Sequence, residues 1–329
     1  MALKEEFAAA IGTAGNKQST FRTYWAHVSA FICFVSKQKQ EWTHPKDIGH
    51  EWIKPFLTEM YATKGTAAKT RNQALSALKF LYENLLKNPI DDDLCKGLRA
   101  KQSKYARRIL IGKPDLAKLL SKLRFSDRLF VGLMYGGAMR LSDVVKLRVK
   151  ELQFDQEHIN VFETKHDHFR SVPFPRSLHE AARQQIAAVS VIHKADESDN
   201  PNGVPLPGAR RTKAPGDARD LGWYWLFPSK DISRCKETGF VGRYHEHPDA
   251  IRKRFKAALR TAGIDRRITP HDVRRTSATR MHFDLNVPLA RLQYILGHKS
   301  LEQTRDYILE DEVAINGNMS PLDDLPDID

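Results

Sequence analysis

The stretch ITPHDVRRTSATRMHFDLNVPLARLQYILGHKSLEQTRDY, residues 268–307, constrains the chain more than any other. His271 and Arg274 stand three apart, so a helix would place them on one face. Val287, Leu289, Leu292 and Ile295 give the next helix a buried side, and Gly297 suits its end. His298 then falls where that helix stops, and Tyr307 follows nine residues later. Taken singly, each of these residues is more often a packed or surface side chain than a site. The ordered set H-x-x-R, L-G-H and a downstream tyrosine is far harder to obtain by chance. It predicts that two imidazoles, a guanidinium and a phenol converge on one phosphate-sized site, with the phenolic oxygen within reach of it.

Charge narrows the choice of partner. The 329 residues carry a net charge of +13, yet the last 24 hold eight acids and no lysine or arginine. The rest of the chain therefore carries +21. Such a surplus points to a polyanion, because lysine and arginine displace counterions condensed on phosphates. Hydrophobic residues make up 41%, which argues for a folded rather than a disordered chain. Cys33, Cys95 and Cys235 are odd in number and far apart, the pattern of a reducing cytosol. No apolar run is long enough to span a bilayer, so the expectation is a cytoplasmic protein without a membrane partner.

Along the chain, Phe21, Tyr24, Trp25, Val28, Phe31, Ile32 and Val35 follow helical spacing. A second helical series runs from Ile48 to Met60, with Pro55 kinking or restarting it. A third, residues 66–87, buries Leu75, Leu78, Leu81 and Leu85 and shows Lys69, Arg71, Asn72, Ser76 and Lys79 on its other side. That face reads as DNA-binding or as plain solvation. Residues 88–108 turn polar and read as a linker, with Lys104, Arg107 and Arg108 in its basic half suited to a phosphate backbone. A second domain starts at Ile109. Arg140 follows the Gly136-Gly137 break, at a sharp turn beside a helix start. Residues 158–163 alternate as a strand that 170–174 can pair with, presenting Lys165 at the hairpin tip. Residues 177–194 read as a helix, and 195–247 interrupt the pattern with a Pro/Gly-rich part and the aromatic cluster LGWYWLFPS.

These residue types suit attack on a DNA phosphodiester. Tyr307 can be the nucleophile, a phenol that a cationic pocket and a nearby base activate. Arg140, Arg274 and His298 can donate to the non-bridging oxygens, where charge grows in the transition state. Lys165 can protonate the leaving 5′ oxygen, and His271 can shuttle the phenol proton. The product would be a 3′-phosphotyrosine that preserves the ester energy, with no metal and no nucleotide required. His166-Asp167-His168 and His245-Glu246-His247 lack a matched ligand pair, and no phosphate-cradling G-x-x-x-x-G-K-[ST] loop occurs.

The blocks TRNQALSALKFLY, GGAMRLSDVVKLRVKELQF, LGWYWLFPS, HDVRRTSAT, LGH and SPLDDLP together resemble the tyrosine site-specific recombinases, and within them the integron integrases. The resemblance runs nearly end to end. It implies a mainly α fold with a small antiparallel β-sheet: a helical core-binding, SAM-like domain (1–98), a basic linker (99–108) and a catalytic domain (109–329), closing as a clamp on DNA. An aromatic insertion (195–247) and a C-terminal tail (308–329) belong to the second domain. The implied catalytic set is Arg140, Lys165, His271, Arg274, His298 and Tyr307, with no cofactor. Four protomers would assemble on two DNA sites and exchange C-terminal segments. The residue after the second arginine is Arg275, where this family usually has His, and the lysine hairpin reads Thr-Lys-His where Gly-Lys-Gly is usual.

The insertion bears on the substrate. Integron integrases recognise folded single strands with projecting unpaired bases, and aromatic rings suit that task because stacking one base is worth roughly 1–3 kcal/mol irrespective of sequence. Trp223, Trp225, Tyr244 and His245 fit that role, or they fill a local core. Three readings follow: an integron-type recombinase that moves gene cassettes, a phage-type integrase confined to duplex attachment sites, and a non-catalytic DNA-binding protein.

Overall fold

The computed structural model describes residues 2–308 except 17, 102–108, 164–167, 201, 209 and 236–237. It is mainly helical and divides into two compact units, Met1–Ala106 and Arg107–Asp329.

The first unit holds α1 (Ala2–Thr13), α2 (Gln18–Lys39), α3 (Ile53–Lys64), α4 (Ala68–Phe80) and α5 (Asp92–Leu98). The apolar stripe of α2 works in both directions. Phe31 and Val35 pack with Ile53, Phe56, Leu75 and Leu78, while Phe21 and Val28 pack with Phe7 and Ile11 of α1. The helix at α1 has no counterpart in the sequence reading. Pro55 lies in the first turn of α3, where its missing N–H breaks no helical bond, so the helix starts there without a kink. The third series is α4 followed by a π-helical turn at Leu81–Leu85. Tyr82 in that turn is buried and donates its hydroxyl to the Ile48 carbonyl at 2.8 Å. Residues expected to be linker from 88 onward contain α5, whose start is capped by the Asp91 carboxylate accepting from the Asp93 N–H.

In the second unit, α6 (Lys113–Ser121) and α7 (Phe125–Gly136) lead to the short α8 (Leu141–Val145). A three-stranded antiparallel sheet follows, in the order β1 (Leu152–Gln153), β2 (His158–Glu163), β3 (His168–Pro173). The expected hairpin is in register, Ile159 opposite Val172 and Val161 opposite Arg170. Lys165 and its hairpin tip lie outside the described residues. The long α9 (His179–Asp199), the four-residue α10 (Arg210–Lys213) and a hairpin of β4 (Pro228–Arg234) and β5 (Val241–His245) come next. The chain closes with α11 (Pro248–Thr261), α12 (Pro270–Phe283), α13 (Leu289–Leu296) and α14 (Leu301–Ile308). Phe130, Leu133, Val144, Ile159, Val172, Val273, Leu292, Ile295 and Ile308 share one core, so α7, α8, α12, α13 and α14 are locked to the sheet through it.

Two features of this unit differ from the sequence reading. α9 runs on to Asp199, five residues past the expected end, and its Asp196 is buried against Arg243 of β5. The insertion is therefore stitched to the helix that precedes it rather than detached from it, and it carries a second small sheet. No helix among the described residues is long and apolar enough to cross a membrane.

Candidate active site

The site begins at the turn after α7. A Cβ on Gly136 would lie 2.4 Å from the Pro175 ring, and one on Gly137 would lie 3.2 Å from the Pro173 carbonyl. Two glycines are needed because the turn presses on the chain leaving β3. Ala138 then takes a left-handed backbone (φ 47°), and the chain reverses into Arg140. The Arg140 N–H donates to the Asp143 carboxylate at 3.1 Å, which fixes the start of α8. Its guanidinium donates to the Gly297 carbonyl at 3.1 Å, reaching the loop that carries His298.

Asp143 is the hub. One carboxylate oxygen accepts from Arg170 of β3 and lies 3.8 Å from Arg274 of α12 and 3.9 Å from Arg140. Arg170 is 2% exposed and also donates to the Ile295 carbonyl at 3.0 Å; Arg274, equally buried, donates to the Leu296 carbonyl at 2.6 Å. Three guanidiniums are thus held by one acid and by carbonyls around the end of α13. Gly297 ends that helix in the left-handed conformation (φ 59°) expected of its position.

His271, Arg274, His298 and Tyr307 do come together. Tyr307 sits in α14 of the same chain, with its ring 5.5 Å from the His271 ring and 5.2 Å from the His298 ring. His298 is oriented by Nδ1 against the buried Thr304 hydroxyl at 3.1 Å. The phenolic oxygen and Nη1 of Arg274 are both buried without a well-formed hydrogen bond, and the Arg274 guanidinium is close enough to act on the phenol directly. The oxygen was expected to be reachable. In the free chain it is covered, because α14 packs on α12 and α13 and Ile308 is fully buried.

The electrostatics follow from this crowding of cations. Burial, followed by the charges of Arg274, Arg140 and Arg170, pushes the His298 imidazole down to about 4. Burial, then Arg275 and Arg274, hold His271 below its usual value. Both imidazoles are therefore neutral at pH 7. Burial, then Arg140, lower Arg274 to about 10, which leaves it charged. Burial pushes the Tyr307 phenol up, against the opposing pull of Arg274, Arg275 and Arg140.

An open groove of about 840 Å³ runs from Arg140, His271 and Arg274 along α11. Exposed Lys256, Arg260 and Arg267 line it. The sequence reading singled out none of them, because an exposed basic face is most often only solvated. Arg170 and Thr304 were also missed. Nothing in a strand pattern marks an inward arginine as a partner of a distant Asp143.

The other expected DNA contacts are placed less uniformly. Lys69 is exposed, and Arg71 lies half-buried over the Tyr61 ring at 4.7 Å. Asn72 exchanges two hydrogen bonds with the backbone of Ala100, at 2.9 and 2.8 Å, and Lys79 is ion-paired with Asp92 at 2.6 Å and Glu83 at 3.4 Å. Lys104, Arg107 and Arg108 lie outside the described residues. In the insertion, Trp225 is 8% exposed, donates to the Arg243 carbonyl at 3.1 Å and packs with Tyr224, Val189 and Val204. His245 stands edge-on to Trp225 at 5.2 Å, and Tyr244 bonds the Phe240 carbonyl at 3.3 Å. Only Trp223 combines partial exposure with a cationic setting: Lys150 lies 3.0 Å, Arg148 5.2 Å and Arg210 5.5 Å from its ring centre.

A lowered histidine pKa has a thermodynamic consequence. Between pH 6.5 and about 4 the unfolded chain binds a proton at residue 298 that the folded chain does not. Stability is therefore lost as pH falls through that window. His298→Gln removes the titration, so denaturant unfolding at pH 7 and pH 5 is expected to show a smaller acid loss than in the native chain. Equal losses in the two proteins would contradict the placement of His298 among the arginines.

Comparison with known proteins agrees with this architecture. The sequence pattern of the phage integrase family matches residues 113–312, and that of the phage integrase N-terminal SAM-like domain matches residues 3–92. An integrase/recombinase of Escherichia coli is 31% identical over 312 residues, covering 93% of this chain and 89% of that protein. The tyrosine recombinase XerD of Lacticaseibacillus casei is 27% identical over 308 residues, covering 89% and 88%. In structure, the Tn1549 transposon integrase bound to transposon right end DNA superposes with a TM-score of 0.62 at 17% identity, covering 93% and 94%. A lambda integrase dimer bound to a core site superposes with a TM-score of 0.61 at 16% identity, covering 93% and 76%. With an N-terminal SAM-like domain and a catalytic domain that gathers arginines, histidines and a tyrosine, the chain belongs to the phage integrase family, the tyrosine recombinases.

Proposed function

We propose that this recombinase cuts and rejoins DNA through Tyr307 and that it is of the integron type, moving gene cassettes and binding folded single-stranded sites in the cytoplasm. The observation that carries the chemistry is the closeness of a buried guanidinium and a buried phenol at the centre of the site. Arg274 Nη1 and Tyr307 Oη are both buried without a well-formed hydrogen bond, the guanidinium acts on the phenol at short range, and the Tyr307 ring lies between His271 and His298. Groups this poorly satisfied are costly to bury unless a ligand completes them. A phosphodiester does so, with non-bridging oxygens for Arg140, Arg274 and His298 and a phosphorus for the phenol.

In this reading Tyr307 Oη bonds to phosphorus, the bond to the 5′ oxygen breaks, and the 3′ side is left as a phosphotyrosine. His271, neutral at pH 7, accepts the phenol proton, and Lys165 supplies one to the departing oxygen. Reversal by a second 5′ hydroxyl rejoins the strands. Because the phenolic oxygen is covered in the free chain, the side chains over it must part for attack. The acidic tail, residues 308–329, would suit docking on a basic neighbour within a tetramer. Lys69, the linker residues Lys104, Arg107 and Arg108, and the groove beside α11 would meet the DNA backbone.

Support for a single-stranded site rests on Trp223. Its half-exposed ring carries Lys150 over one face, and a base stacking there would displace that ammonium toward its own phosphate. The burial of Trp225 favours the second reading, in which the insertion is packing and the enzyme acts on duplex attachment sites.

Two measurements separate these readings. Incubated with nicked or suicide DNA sites, the native chain should form a denaturation-resistant adduct, and Tyr307→Phe should form none while still binding. No adduct from the native chain on any site type would leave only a DNA-binding module. Trp223→Ala should weaken binding to a bulged hairpin by roughly tenfold, from one lost stack, and leave a perfect duplex nearly unaffected. Equal losses on both substrates would support packing instead.

A further inference from the structure

We propose that Arg275 is a positioning residue for the nucleophile, holding the Tyr307 ring in place and favouring loss of the phenol proton. This rests on the reading of Tyr307 as the nucleophile. Arg275 follows Arg274 on α12 and is 9% exposed, with its guanidinium carbon 5.0 Å from the centre of the Tyr307 ring. Its Nε is buried without a hydrogen-bond partner. Its neighbours on the helix are differently employed: Thr276 bonds the Asp272 carbonyl and the Ile111 N–H, Ser277 the Tyr135 carbonyl, and Arg280 the Tyr135 hydroxyl and the Ile111 carbonyl. Those side chains tie α12 to the domain. Arg275 ties it to the ring of Tyr307.

A guanidinium whose buried Nε makes no hydrogen bond is costly for stability alone. What it does make is a contact with the face of a ring whose negative charge grows as the proton leaves. The phenolate spreads charge from oxygen into the ring, so a fixed cation over the face stabilises the ionised form more than the neutral one. The other groups around the phenol are shared with the substrate. Arg274 and Arg140 would turn to the phosphate, His298 joins them as a donor, and His271 takes the proton. Once phosphate binds, its negative charge offsets the pull of Arg274 and Arg140 on the phenol. Arg275, set against the ring face, remains as the cation dedicated to the nucleophile. Burial raises the phenol, and Arg275 counters that from a side the phosphate does not use.

The test is the rate of covalent adduct formation on a suicide DNA site as a function of pH, for the native chain, Arg275→Met, Arg275→Lys and Tyr307→Phe. Methionine keeps bulk and apolar reach without charge; lysine restores a charge without the planar fork. The expected result is that Arg275→Met is slowed about tenfold or more at pH 7, with the alkaline rise of its profile moved up by about one pH unit, the size of effect one close charge has. Arg275→Lys should recover part of both. A native rate and profile in Arg275→Met would overturn the proposal. So would a slowed Arg275→Met whose profile keeps its native position, since that marks a purely structural residue. If the native chain forms no adduct, or Tyr307→Phe still forms one, the assignment of Tyr307 falls and this inference with it. A Tyr307-dependent adduct combined with an unmoved Arg275→Met profile removes the inference alone.

Discussion

A single carboxylate organises the catalytic domain. Asp143 stands between Arg140, Arg170 and Arg274, which come from a turn, a strand and a helix far apart in sequence. Three guanidiniums at such distances repel one another, and the acid between them offsets that. The carbonyls of Ile295, Leu296 and Gly297 share the load, accepting one hydrogen bond each from Arg170, Arg274 and Arg140. The result is a fixed, cation-rich frame, and donors fixed in this way suit charge that grows on a bound group.

The same cations set the protonation states. Among them imidazoles stay neutral and a phenol is drawn toward ionisation. Burial opposes the second effect and reinforces the first. The free chain therefore holds a neutral His271 beside a Tyr307 phenol that burial keeps protonated and covered. In the proposed chemistry this is a resting arrangement, and the phenolic oxygen is uncovered before it attacks.

Much of this was legible in the residues. Local patterns carried it: the apolar stripe of α2, the β2–β3 alternation, the glycine break before Arg140, and the H-x-x-R, L-G-H and tyrosine series that turned out to meet in space. What sequence could not show depends on distant contacts. Arg170 reads as an ordinary strand residue until the fold places it on Asp143. Trp225 reads as a surface for bases or as local core, and the insertion closes over it, with Asp196 on an extended α9 pinning Arg243, whose carbonyl accepts from the indole. Asn72 reads as one more polar residue on a basic face, and its amide is spent holding the backbone at Ala100. In each case a polar group with a short-range meaning was claimed by a partner tens of residues away.

The central claim is that this frame of arginines directs one phosphorus to one phenol. It is tested most directly by trapping the chain on a labelled DNA site, digesting both components and locating the nucleotide remnant by mass spectrometry. The account predicts a 3′-linked nucleotide on the peptide containing Tyr307 and on no other. A remnant on another side chain, or a remnant attached through its 5′ phosphate, would contradict it.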